Sequence, residues 1–178
     1  MDINEIIDPK TSLPNLKTLS HEVDLLAFCL MPNHFHLLVR QQKSDGIQKL
    51  LERVCTNYVM YFNKRYDRVG PLFEGIYKGV LVETDEQLMY VSAYIHRNPR
   101  DLSHSGDFAR FTNYRYSSYG FYIGSMRANW LKPHFILNYF KQAKETNNGD
   151  GIYKNYQAFV KAEDIMGNVA NDLLLDLG

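Results

Sequence analysis

Cys29-Leu30-Met31-Pro32-Asn33-His34-Phe35-His36-Leu37-Leu38-Val39-Arg40 is the stretch whose reading decides the fold. Leu25 to Leu30 is one apolar run and His34 to Arg40 a second, with Met31-Pro32-Asn33 between them. Proline and asparagine are turn formers, so the two runs read as strands joined by a short turn. Side chains alternate faces along a strand, which places His34 and His36 on one face and Phe35 and Leu37 on the other. Neutral imidazole is a common ligand for a divalent metal, and a strand holds such a pair rigidly. The same spacing also suits an ordinary solvent-facing pair, because two ligands do not complete a metal site.

A second stretch bears on the first. Thr84-Asp85-Glu86-Gln87 is a capping-box pattern, and it predicts a helix from about Asp85 until Pro99 stops it. Within Tyr94-Ile95-His96-Arg97-Asn98-Pro99-Arg100, Tyr94 and Asn98 lie four residues apart and share one helical face. A tyrosine hydroxyl, with an ordinary pKa of about 10, is a weak nucleophile, and a phosphodiester repels incoming negative charge. A divalent metal on a non-bridging phosphate oxygen relieves that repulsion, and an amide oxygen is an acceptable third ligand beside two imidazoles. The structural alternative makes Tyr94 a core aromatic and Asn98 a helix cap. Tyr90, one turn earlier, is the rival nucleophile, and His96 is a rival third ligand that points away from the Tyr94 face.

Together the segments Met31 to Val39 and Tyr94 to Pro99 resemble the signatures of the HUH single-tyrosine transposases. These are insertion-sequence transposases of the IS200-like type, and the resemblance is greatest to the REP-associated tyrosine transposases. The resemblance implies an α/β (α+β) fold, with a ferredoxin-like antiparallel sheet, helices on one face and a helical C-terminal extension. It also implies that His34, His36 and Asn98 hold Mg2+ or Mn2+, and that Tyr94 is the catalytic nucleophile. Tyr94 would cleave single-stranded DNA with hairpin ends, form a 5'-phosphotyrosine bond, free a 3'-hydroxyl, and rejoin by the reverse attack. Such proteins work as a monomer or a homodimer. Three departures from the family pattern stand out: Ile76 where arginine is usual, Arg100-Asp101-Leu102-Ser103 where Val-Arg-Ala-Gly is usual, and Tyr116 in place of tryptophan.

Residues 1–20 carry Pro9 and Pro14 without a clear period and read as irregular, so the opening strand of the family is not legible there; a truncated chain, an internal start and a sheet completed in some other way are the open readings. Residues 21–125 form the expected transposase domain and 126–178 a helical extension with a tail. Gly46 opens the strongest helical pattern, with Ile47, Leu50, Leu51, Val54, Cys55, Tyr58, Tyr61 and Phe62 at spacings of three and four. It reads as a helix packed on the sheet, with Tyr58 and Tyr61 in core and rim in preference to base-stacking platforms. Tyr77 to Val82 reads as a strand, a helix opens at Pro133, and a last amphipathic helix runs from Tyr153 to Ile165.

Net charge is zero, yet residues 40–78 hold eight cationic side chains against four carboxylates. A solvated mixed-charge helix looks similar, and a phosphate-binding face is the functional reading. Its candidates are Arg40, Lys49, Arg53, Lys64, Arg65 and Lys78, joined by Arg97 and by Tyr119, whose ring either stacks on bases or packs its loop against the core. No apolar run approaches the roughly 20 residues of a membrane span, and the acidic start lacks a basic export signal, so a cytoplasmic protein without a membrane partner is expected. Cys29 and Cys55 read as buried free thiols. Two further functions stay open at this stage: a non-catalytic nucleic-acid-binding remnant of the same fold, and a small zinc hydrolase.

Overall fold

The structure is a computed structural model that describes residues 18–102, 113–145 and 156–162. Two strands, β1 (Val23–Leu30) and β2 (Phe35–Gln41), pair antiparallel with Leu30 opposite Phe35 and Cys29 opposite His36. The turn between them closes through Met31 N–H donating to the His34 carbonyl at 2.8 Å. Leu26 falls out of the pairing as a bulge, and the Tyr122 hydroxyl donates to its carbonyl at 2.8 Å, so the interrupted ladder leaves that oxygen satisfied. The other edge of β1 is taken by two single bridges, Cys29 with Ser117 and Leu25 with Leu131.

The helices are α1 (Gly46–Arg65), α2 (Asp85–Arg97), α3 (Tyr119–Tyr122), α4 (His134–Glu145) and α5 (Tyr156–Lys161), with a 3-10 turn Asn98–Leu102 continuing α2. Helix α2 begins as its sequence dictates. Thr84 Oγ1 accepts from Gln87 N–H, Gln87 Oε1 accepts from Thr84 N–H, and Asp85 and Glu86 sit in the first turn where the helix dipole favours anions. Its buried apolar residues, Met89 and Ala93 on one side and Ile95 on another, belong to one core with Leu26, Ala27, Cys29 and Leu38 of the hairpin. Ile136 and Phe140 of α4 and Tyr156, Phe159 and Val160 of α5 complete the same core. The C-terminal extension is therefore joined to the hairpin and α2 in one apolar cluster. Among the described residues no helix is long and apolar enough to cross a membrane.

The α+β class holds: a two-stranded antiparallel sheet with helices. Three local expectations are corrected. Tyr77 to Val82 forms no strand, and Ile76, Tyr77 and Leu81 are exposed, Ile76 by 91%. An alternating pattern is half of a strand and a partner edge is the other half; no described strand pairs with this segment. Helix α1 forms as expected but buries only Gly46, leaving Val54, Tyr58, Met60 and Tyr61 exposed. Periodicity defines an apolar face without supplying the surface that covers it. Cys55 is half-buried, although Cys29 is buried as expected, and both are free. Residues 1–17, including most of the expected irregular opening segment, lie outside the described residues, as do the ends of the expected last helix.

Candidate active site

The turn and first residues of β2 present the two histidines. His34, exposed at the end of the turn, has Nδ1 2.8 Å from Asn33 Oδ1. A carbonyl oxygen only accepts, so His34 carries its proton on Nδ1 and keeps the Nε2 lone pair for a ligand. His36 lies two residues on, half-buried, and the two rings meet edge to face at 4.8 Å. The expected alternation is realised in the contacts. His36 faces Tyr94 of α2, ring centroids 5.6 Å apart, while Phe35 turns to the other side and meets Phe73 at 5.9 Å.

Helix α2 supplies the opposite wall. Tyr94 is half-buried, and Asn98, one turn on, occupies the C-cap with its Nδ2 donating to the Tyr94 carbonyl at 3.0 Å. That bond engages the amide nitrogen and leaves Oδ1 as the accepting end. The Asn98 side chain lies near enough to favour the charged form of His36. Burial is the larger effect, however, and with the neighbouring His34 it pushes the His36 pKa below the usual imidazole range. His36 is therefore neutral at pH 7, the form a metal requires. Its Nε2 is buried without a hydrogen-bond partner of ordinary geometry. A buried nitrogen lone pair with nothing to accept is costly unless a ligand uses it.

These groups fit a divalent cation: two imidazole nitrogens and an amide oxygen, with room for substrate oxygens. Among the described residues no cluster of three His, Cys, Asp or Glu side chains exists, so a closed zinc site of those ligands is not present there. The rivals are placed elsewhere. Tyr90 packs its ring on Phe159 of α5 at 5.7 Å. His96 is fully buried, with Nδ1 2.6 Å from Tyr156 Oη and Nε2 2.6 Å from Ser118 Oγ, so neither nitrogen is available to a metal.

The family model described as Transposase IS200 like matches residues 11–98. This IS200-like match covers about half of the chain, includes the hairpin and α2, and ends at Asn98. Comparison with curated proteins and with solved structures returns no match.

Around the IS200-like segment the expected phosphate-binding residues divide. Lys64, Arg65 and Lys78 are exposed and Arg53 is half-buried. Arg40 donates from Nε and Nη2 to Asp24 at 3.0 and 2.6 Å and lies 3.8 Å over the Phe135 ring. Lys49 bridges Glu22 and Asp45. Both cations are thus locally neutralised, which weakens their claim as phosphate contacts. Two expectations are overturned. Arg97 is buried and donates to the Ala162 carbonyl at 3.0 Å, because the end of α5 offers a backbone carbonyl that a cation suits. Tyr119 is 0% exposed and packs on His96, because the segment before it folds in along β1 and carries the ring inward. It cannot stack on a base.

Sequence reasoning missed Asn33 as the orienting partner of His34, although an amide next to a ligand histidine is a recognisable signal. It also missed Ser118, Tyr156 and Ser92 around His96, for which no local signal exists.

Proposed function

We propose that this chain is a metal-dependent single-stranded DNA transposase or endonuclease of the HUH single-tyrosine kind, of the REP-associated branch. It would cleave and rejoin DNA through a 5'-phosphotyrosine intermediate. The observation that carries this reading is the meeting of His34, His36, Tyr94 and Asn98 at one place, from two elements some sixty residues apart in sequence. The IS200-like match over both elements supports it.

His34 Nε2, His36 Nε2 and Asn98 Oδ1 would hold Mg2+ or Mn2+. A cation held there would supply charge neutralisation at the scissile phosphate. Tyr94 Oη forms the bond to phosphorus and gives up its proton, the P–O3' bond breaks, and the departing 3'-oxygen takes a proton to become a hydroxyl. Rejoining reverses each step. Helix α2 fixes the nucleophile and the amide ligand on one face, so their spacing is set before DNA binds. The partner is single-stranded DNA with hairpin ends, met by a monomer or homodimer in the cytoplasm.

Covalent trapping tests this. The full chain with Mg2+ or Mn2+ and labelled hairpin-bearing single strands, run on a denaturing gel, should give a protein-linked product that Tyr94→Phe abolishes and Tyr90→Phe retains. Loss only in Tyr90→Phe would keep the reaction class and overturn the nucleophile. Binding without an adduct from any strand would instead mark a non-catalytic nucleic-acid-binding module.

A further inference from the structure

We propose that His96, clasped between Ser118 and Tyr156, is a positioning residue for this chemistry: it sets the rotation of α2 about its axis, and so the aim of Tyr94 and Asn98 at His36. The inference rests on the function proposed above.

Each residue of an α-helix advances the side chains by about 100°, so a modest rotation of α2 would swing Tyr94 and Asn98 off the histidines. Apolar packing resists rotation weakly, since burial is non-directional, and the α2 contact surface includes the flexible Met89 and the small Ala93. Hydrogen bonds are directional. His96 sits between Tyr94 and Asn98 in sequence, and both of its ring nitrogens are engaged at 2.6 Å, one by Tyr156 Oη and the other by Ser118 Oγ. A neutral imidazole has one donor and one acceptor. Whichever nitrogen carries the proton, one hydroxyl must donate to the ring and the other must accept from it.

Both clasps are anchored. Ser118 Oγ accepts from Phe28 N–H at 2.8 Å, which references the ring to β1, and β1 carries Cys29 opposite His36. The line from His36 through the hairpin to Ser118 and His96 returns to the helix that carries Tyr94. On the other side, Tyr156 Oη also lies 3.1 Å from Ser92 Oγ, one turn earlier on α2, and Ser92 donates to the Met89 carbonyl at 2.7 Å. Arg97 holds the far end of α5. The segment 156–162 thus braces the nucleophile helix while Tyr156 itself stands behind it, on His96 and Ser92. The C-terminal extension becomes part of the catalytic apparatus.

The test uses the full chain with Tyr156→Phe and Ser118→Ala, which each break one clasp, and Ile136→Val as a core control of comparable thermal loss. Two readouts are taken: the single-turnover rate of adduct formation alongside strand affinity, and the NMR cross-relaxation between the His36 and Tyr94 rings without metal or DNA. Each clasp variant should slow adduct formation by about tenfold or more, with strand affinity within about twofold, and lose the ring contact. Ile136→Val should do neither. Equal slowing in the control, or an intact ring contact in both clasp variants, overturns the proposal. Should the wild-type chain form no adduct, the functional reading falls, and the ring contact alone still decides whether His96 aims α2. Ser118→Ala answers the question if Tyr156→Phe does not fold.

Discussion

His36 and Tyr94 stand edge to face across the gap between β2 and α2, ring centroids 5.6 Å apart, with His36 Nε2 buried and unused. Neither element carries this relationship alone. It arises where α2 packs on the hairpin through its Met89–Ala93 side, with His96 held by Ser118 and Tyr156, which leaves the Tyr94–Asn98 side at the start of β2.

If His34 and His36 are ligands, the residue that orients His34 matters as well. Asn33→Ala should weaken Mn2+ binding by roughly tenfold, and His36→Ala by more than that, as read by calorimetry or by the Mn2+ resonance signal. Unchanged affinity in both would remove the histidine pair as the cation site.

Tyr94→Phe removes one hydroxyl from a half-buried ring. Its thermal midpoint should stay near that of the wild type and its Mn2+ affinity unchanged, while adduct formation falls by about a thousandfold or more. An equally large loss of metal affinity would mean that the hydroxyl serves the cation and not the phosphate.

Burial pushes the His96 imidazole down to about 3, whereas an unfolded histidine titrates near 6.5. Between those values the unfolded chain binds a proton that the folded chain refuses. Stability from this group is therefore complete above about pH 6.5 and declines as pH falls toward 3, by about 1.4 kcal/mol per pH unit. The urea midpoint should fall more steeply from about pH 6.5 to 4.5 in the wild type than in His96→Gln, and the His96 ring resonances should not titrate over that range. A ring that titrates near pH 6 would refute the buried neutral state.

Gly46 opens α1 where a Cβ would lie 2.5 Å from the Glu22 carbonyl oxygen, a backbone atom that cannot swing aside. Gly46→Ala should cost about 1–3 kcal/mol despite the better helix propensity of alanine, a fall of roughly 2–4 °C in Tm for each kcal/mol. A gain in stability would show that α1 can shift its start freely.

The sequence by itself determined the local units of this protein. Pro32 and Asn33 between apolar runs make the hairpin, alternation puts His34 and His36 together, and Thr84 with Gln87 starts α2. The four-residue spacing of Tyr94 and Asn98 places them on one face. Each follows from the stereochemistry of a few neighbouring residues, so each is legible without the rest of the chain. Only the tertiary structure decided what those units meet. It turned Tyr94 toward His36 and set His96 between Ser118 and Tyr156, and it buried Arg97 under the end of α5 and Tyr119 against His96. It also left α1 largely uncovered and Tyr77 to Val82 without a partner strand among the described residues. The physical reason is that period and propensity are local, whereas burial and hydrogen-bond pairing depend on partners such as Ser118 and Tyr156, 22 and 60 residues away from His96.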